Sequence, residues 1–80
     1  KNEVAFTFRN ITNRSIARLD LDVDFISKDK SLGKERIRKV IQNLNPKEYI
    51  EVICNPEISL SHVDDIVFHD ERIVFTNVQI

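Results

Sequence analysis

The chain has 80 residues, 41% hydrophobic and 31% charged, with one Gly, two Pro and one Cys, which suits a single hydrophobic core and excludes disordered, low-complexity and disulfide-scaffold classes. Twelve basic against thirteen acidic residues give a net charge of −1, without the basic excess that marks a nucleic-acid binder. No apolar run approaches the ~20 residues of a membrane-spanning helix.

Lys1-Asn2-Glu3 leads straight into a strand pattern, so residues 1–80 are expected to be a single β-sandwich domain cut from a larger protein. Val4, Phe6 and Phe8 alternate with Ala5, Thr7 and Arg9, the period of a half-buried strand. The polar stretch Asn10–Ser15 reads as a turn. Next comes the clearest element, Ile16–Ser27. Ala17, Leu19, Leu21, Val23 and Phe25 fall on one face, and Arg18, Asp20, Asp22 and Asp24 on the other. Such alternation predicts one face on a core and one in water, and the first two strands are expected to pair antiparallel.

Lys28–Gly33 is a second turn. Two readings of Lys34–Leu44 then compete. Ile37, Val40, Ile41 and Leu44 follow helical spacing, with Ser31 as cap and Asn45-Pro46 as stop. As a strand, the same segment sets Lys34, Arg36 and Arg38 across a hairpin from Asp20, Asp22 and Asp24. Opposite charges across strands contribute about 0.2–1 kcal/mol per pair, whereas an unanswered carboxylate row repels itself. Against the strand, Lys39 would point inward unless a bulge re-aims it.

Tyr49–Cys54 is another alternating strand, ended by Asn55-Pro56, and Ile58 and Leu60 suggest a short extended piece. Ile66–Phe68 and Ile73–Phe75 flank His69-Asp70-Glu71-Arg72, which fits a hairpin with a four-residue loop; its last strand is expected to run on through Val78 and Ile80. The predicted fold is all-β, a small antiparallel sandwich of about six to seven strands. The alternative is α+β with one helix at about 32–45.

In its order of features the chain resembles immunoglobulin-like β-sandwich accessory domains of the FxLYD and late-embryogenesis-abundant type. Phe8–Ser15 followed by Leu19–Phe25 carries the first likeness, a strand ending in Asn, a polar turn, then a long alternating strand ending in an aromatic. Leu44-Asn45-Pro46-Lys47-Glu48 carries the second, and looks like their Leu-x-Pro-Gly-Glu turn. Lys47 stands where Gly is usual, and Phe25-Ile26-Ser27-Lys28-Asp29 fills the place of the Leu-Tyr-Asp signature. The likeness covers about Val4 to Cys54. It implies a fold, an accessory or interaction role and an extracytoplasmic setting, and transfers no functional residue.

Asp20-x-Asp22-x-Asp24 invites a calcium reading, but Phe25 takes the EF-hand glycine position and Ser31 that of the final glutamate. In a strand these carboxylates also lie about 6.6–7 Å apart, too far to share one ion. His62, Asp64, His69 and Asp70, with Asp65 and Glu71, offer imidazole and carboxylate ligands of the kind zinc or manganese accepts. Their spacing matches no known ligand pattern, so no metal and no cofactor is expected. No Ser or Cys nucleophile stands at a diagnostic distance from either histidine. Cys54 shares a strand face with Ile50 and Val52 and reads as a buried, inert thiol. Phe6-Thr7-Phe8-Arg9 has the look of an RNA-stacking strand but lacks the Lys/Arg-Gly opening. Asn10-Ile11-Thr12 and Asn13-Arg14-Ser15 are glycosylation sequons in a turn.

The expected function is non-enzymatic: an interaction or accessory module that binds another protein, or a neighbouring domain of the parent chain, through an exposed strand edge or end loops. The expected edges are Val4–Asn10 and Ile73–Ile80, with neither nucleic acid nor membrane insertion. The alternative function is a divalent-metal or small-ligand domain using the His62–Glu71 loops.

Overall fold

The computed structural model describes residues 2–76. It contains five strands, β1 (Val4–Arg9), β2 (Ile16–Ser27), β3 (Lys34–Leu44), β4 (Tyr49–Cys54) and β5 (Val63–Phe75), with one 3₁₀ turn at Leu60–His62. The strands form two antiparallel sheets, one ordered β1-β4 and the other β3-β2-β5.

β2 is the centre of the molecule. Its apolar row packs against β1 and β4: Leu21, Val23 and Phe25 cluster with Cys54, Phe6 and Phe8, while Ile16 and Leu19 cluster with Ile41, Leu44 and Val52. Period-2 alternation puts these residues on one face of a strand, and the two sheets bring their apolar faces together. Phe25 and Val23 are 0% exposed. Fully burying side chains of this size contributes roughly 1.5–3 kcal/mol each.

Several expectations need correction. The first two strands do not pair: β1 pairs with β4, and β2 pairs with β3 and β5. The Asn10–Ser15 segment crosses between sheets, because the apolar rows of β1 and β2 meet face to face rather than side by side. Asn10 holds that crossing. Its buried Nδ2 donates to the Leu44 and Arg14 carbonyls, and its Oδ1 accepts from the backbone and hydroxyl of Thr12. Lys34–Leu44 is a strand, so the helix at 32–45 is not formed. Lys39 stands in the inner row opposite Leu21, half-buried on an edge strand, with no bulge to turn it out.

The hairpin around His69–Arg72 is absent; Val63–Phe75 is one strand along β2. Glu71 is the extra residue of a bulge, since Asp20 faces Arg72 while Leu21 faces Asp70. The polar run imitates a loop because it lies beside the charged face of β2. Together these reduce the expected six or seven strands to five. Ile58 and Leu60 lie in a loop and a 3₁₀ turn rather than in an extended piece. Ile16, not Ala17, joins Leu19 in the core. Asn43 adopts a left-handed φ of 57° opposite Ala17 and breaks the alternation, so that Ile41 and Leu44 are both buried. Asn tolerates that region better than most residues. Val78 and Ile80 lie outside the described residues.

Candidate functional site

The two faces of the three-stranded sheet differ in chemistry. On the outer face, Arg38 donates from Nε and Nη2 to the two Asp22 oxygens at 2.7 and 2.9 Å, and Arg36 does the same to Asp24. Lys34 Nζ lies 3.3 Å from Asp24, His69 Nε2 lies 3.1 Å from the same carboxylate, and Arg18 pairs with Asp20 on its own strand. The charge pairing expected across the β2–β3 hairpin is therefore present for Asp22 and Asp24. The expectation that this face lies in water is not met: Asp22 and Asp24 are 0% and 1% exposed, roofed by the longer cationic side chains. The hydrogen bonds from Arg38 and Arg36 hold the two carboxyls below their ordinary value, against desolvation. Bidentate geometry of this kind favours the ionised carboxylate.

The inner face is covered unequally. Two strands lie over three. On one side β3 and β4 approach closely, and the Glu35 carboxylate accepts from the backbone N–H groups of Glu57 and Ile58 at 2.9–3.0 Å. Those bonds tie β3 to the segment that follows β4. On the other side β1 meets β5 through ring contacts, Phe68 meeting Phe6 edge-on at 4.9 Å and Phe8 at 5.5 Å. Here the inner row of β5 stays open, with Phe68 41% and Ile73 44% exposed. A cleft of about 250 Å³ lies at one end, lined by residues that include Phe8, Leu19, Asp70, Ile73 and Phe75. A wider one, about 500 Å³, lies at the other end, among Val4, Leu60, Val63 and Ile66. The two clefts and the Phe68 contacts between them form a seam between the free edges of β1 and β5.

The edges are not equally protected. β3 carries Lys34, Arg36 and Arg38 and an inward Lys39, and β5 carries a bulge and an inward Asp70. Charge, inward ionic groups and bulges are the devices that discourage strand addition. β1 has no bulge and no inward ionic group, and its one charge, Arg9, is at its end: Val4–Arg9 pairs with β4 in unbroken register, its inner row is Val4, Phe6 and Phe8, and among the described residues its other side pairs with no strand.

The residues singled out in the sequence are dispersed. His62 is in the 3₁₀ turn, Asp64 opens β5, His69 lies on the outer face against Asp24, and Asp70 faces inward opposite Leu21. His62 and His69 are seven residues apart along nearly extended chain, a separation on the order of 20 Å. Among the described residues no three His, Cys, Asp or Glu side chains converge as metal ligands. Phe6 and Phe8 face the core rather than presenting a stacking surface. Cys54 is buried, and desolvation raises its thiol pKa. Of the two sequons, Asn10 has its amide buried and committed, whereas Asn13 is exposed. Of the expected edges, Val4–Asn10 corresponds to β1, while Ile73–Ile80 is described only through Thr76.

The open stretch of β5 was missed in the sequence because the four-residue loop assigned to it broke its alternation. Spacing Ile66, Phe68 and Asp70 by two would have put one acid in an otherwise apolar row. No helix is long and apolar enough to cross a membrane. No protein-family model matches the chain, and no curated protein or solved structure matches it either.

Proposed function

We propose that this chain is a non-enzymatic protein-interaction module, an immunoglobulin-like β-sandwich that docks an extended partner segment along the free edge of β1. The observation that carries this reading is the uncovered inner row of β5. A third strand beside β1 would lie over it, extending the smaller sheet to match the larger. Backbone hydrogen bonding along β1 would supply affinity, and side chains on alternate positions would enter the seam. The likeness to FxLYD and late-embryogenesis-abundant domains supports the accessory role. Lys47 takes a left-handed φ of 67° where those families place Gly, which supports the likeness of that turn.

A random library of displayed nine-residue peptides, selected on the 80-residue chain, tests the reading. Enriched peptides are expected to alternate apolar residues and to lose about tenfold or more in affinity on Phe68→Ser or Ile73→Ser. Failure to enrich any sequence that depends on these two side chains would overturn it.

A further inference from the structure

We propose that the docked segment has the inward pattern apolar, basic, apolar on every second residue, with its cation set over Asp70. This rests on the docking reading above and specifies the chemistry of the partner.

The inner row of β5 is fixed by its register with the core residues of β2: Ile66 faces Phe25, Phe68 faces Val23, Asp70 faces Leu21 and Ile73 faces Leu19. One carboxylate thus stands between two exposed apolar side chains, on the sheet face that otherwise forms the core. Asp70 is exposed and lines the cleft with Phe8 and Phe75, and among the described residues it forms no ion pair. The one cation among the described residues lining that cleft, Arg9, is committed elsewhere. Arg9 sits 5.0 Å over the Tyr49 ring and donates to the Lys47 carbonyl.

A strand laid over β5 would cover this carboxylate. An unpaired charge shielded from water is costly, and a matching cation offsets that cost. An apolar residue at the middle inward position would leave Asp70 stranded, and an acidic one would repel it. Lys or Arg there satisfies it, while the flanking inward positions meet Phe68 and Ile73. A second copy of this chain donating its own β1 does not fit, because the inner row Val4, Phe6 and Phe8 carries no cation.

The rival explanation is that Asp70 only guards the edge against self-association. Two labelled peptides decide between them, Thr-Ile-Thr-Lys-Thr-Ile-Thr and its counterpart with Glu in place of Lys, titrated into the intact chain by fluorescence anisotropy. The lysine peptide is expected to bind about tenfold tighter or more, to weaken with added salt, and to lose its advantage on Asp70→Asn. Amide shift changes should fall on β1 and β5. Equal binding of both peptides would overturn the cation assignment while leaving the docking reading intact. No binding by either, or shift changes confined to other strands, would also overturn it, and the library selection would then judge the docking reading separately. Self-association of Asp70→Asn in sedimentation, without any lysine preference in the native chain, would assign Asp70 to edge protection instead.

Discussion

Asp22 and Asp24 show how a charged residue comes to be buried in a small domain. Each carboxylate exchanges water for a two-point contact with an arginine on β3, whose own side chain stays 44–60% exposed and roofs it. Lys34, His69 and Glu71 also lie around this network. Because both carboxyls are held below their ordinary value of 3.8 when folded, the unfolded chain takes up protons before the native one as pH falls. Their contribution to stability is therefore complete above that value and is lost progressively below it. Thermal melts from pH 7 to pH 2.5 should show a melting temperature that drops below about pH 4, with a flatter acid limb in Asp24→Asn. Lys47 offers a test of backbone strain. A left-handed non-glycine residue costs roughly 1–2 kcal/mol, partly offset by the chain entropy that Gly would lose. Lys47→Gly is expected to stabilise the chain by about 0.5–1 kcal/mol in urea unfolding, and Lys47→Ala to give no gain.

Among the elements, β2 and β3 were legible in the sequence and β5 was not. The acidic row of β2 demanded a cationic neighbour, and Lys34, Arg36 and Arg38 at the same period answered it, which favoured a strand over the helical spacing of Ile37, Val40, Ile41 and Leu44. β5 was hidden because polar residues on a strand facing a charged surface have the composition of a turn. His69 and Arg72 face Asp22 and Asp20 across the ladder, and Glu71 is absorbed by the bulge. Beyond the β2–β3 hairpin, which strands pair was not legible. Neither Phe6 nor Phe8 says whether it meets β2 edge to edge or face to face, and that choice is made by the Asn10 crossing. The bulge makes its own prediction. Removing Glu71 should leave Asp70 inward and Arg72 outward, with β2–β5 cross-strand nuclear Overhauser contacts retained and stability changed by about 1 kcal/mol or less. Loss of those contacts would mean that the bulge sets the register.

On the scale of the whole molecule the governing fact is a mismatch, a two-stranded sheet over a three-stranded one. The β3–β4 side is tied by Glu35 and guarded by cations, whereas on the β1–β5 side the bulge and Asp70 protect β5 and the edge of β1 has neither device among the described residues. Composition could not reveal this, because an exposed Phe68 and a buried Phe25 are the same letter; only the strand order separates them. The central claim is that the free edge of β1 is the docking edge. Amide hydrogen exchange on the intact chain, with and without a peptide from the library selection, tests it most directly. Slowed exchange is expected at alternate amides within Val4–Arg9, with β3 amides unchanged; slowing on β3 instead, or none on β1, would contradict it.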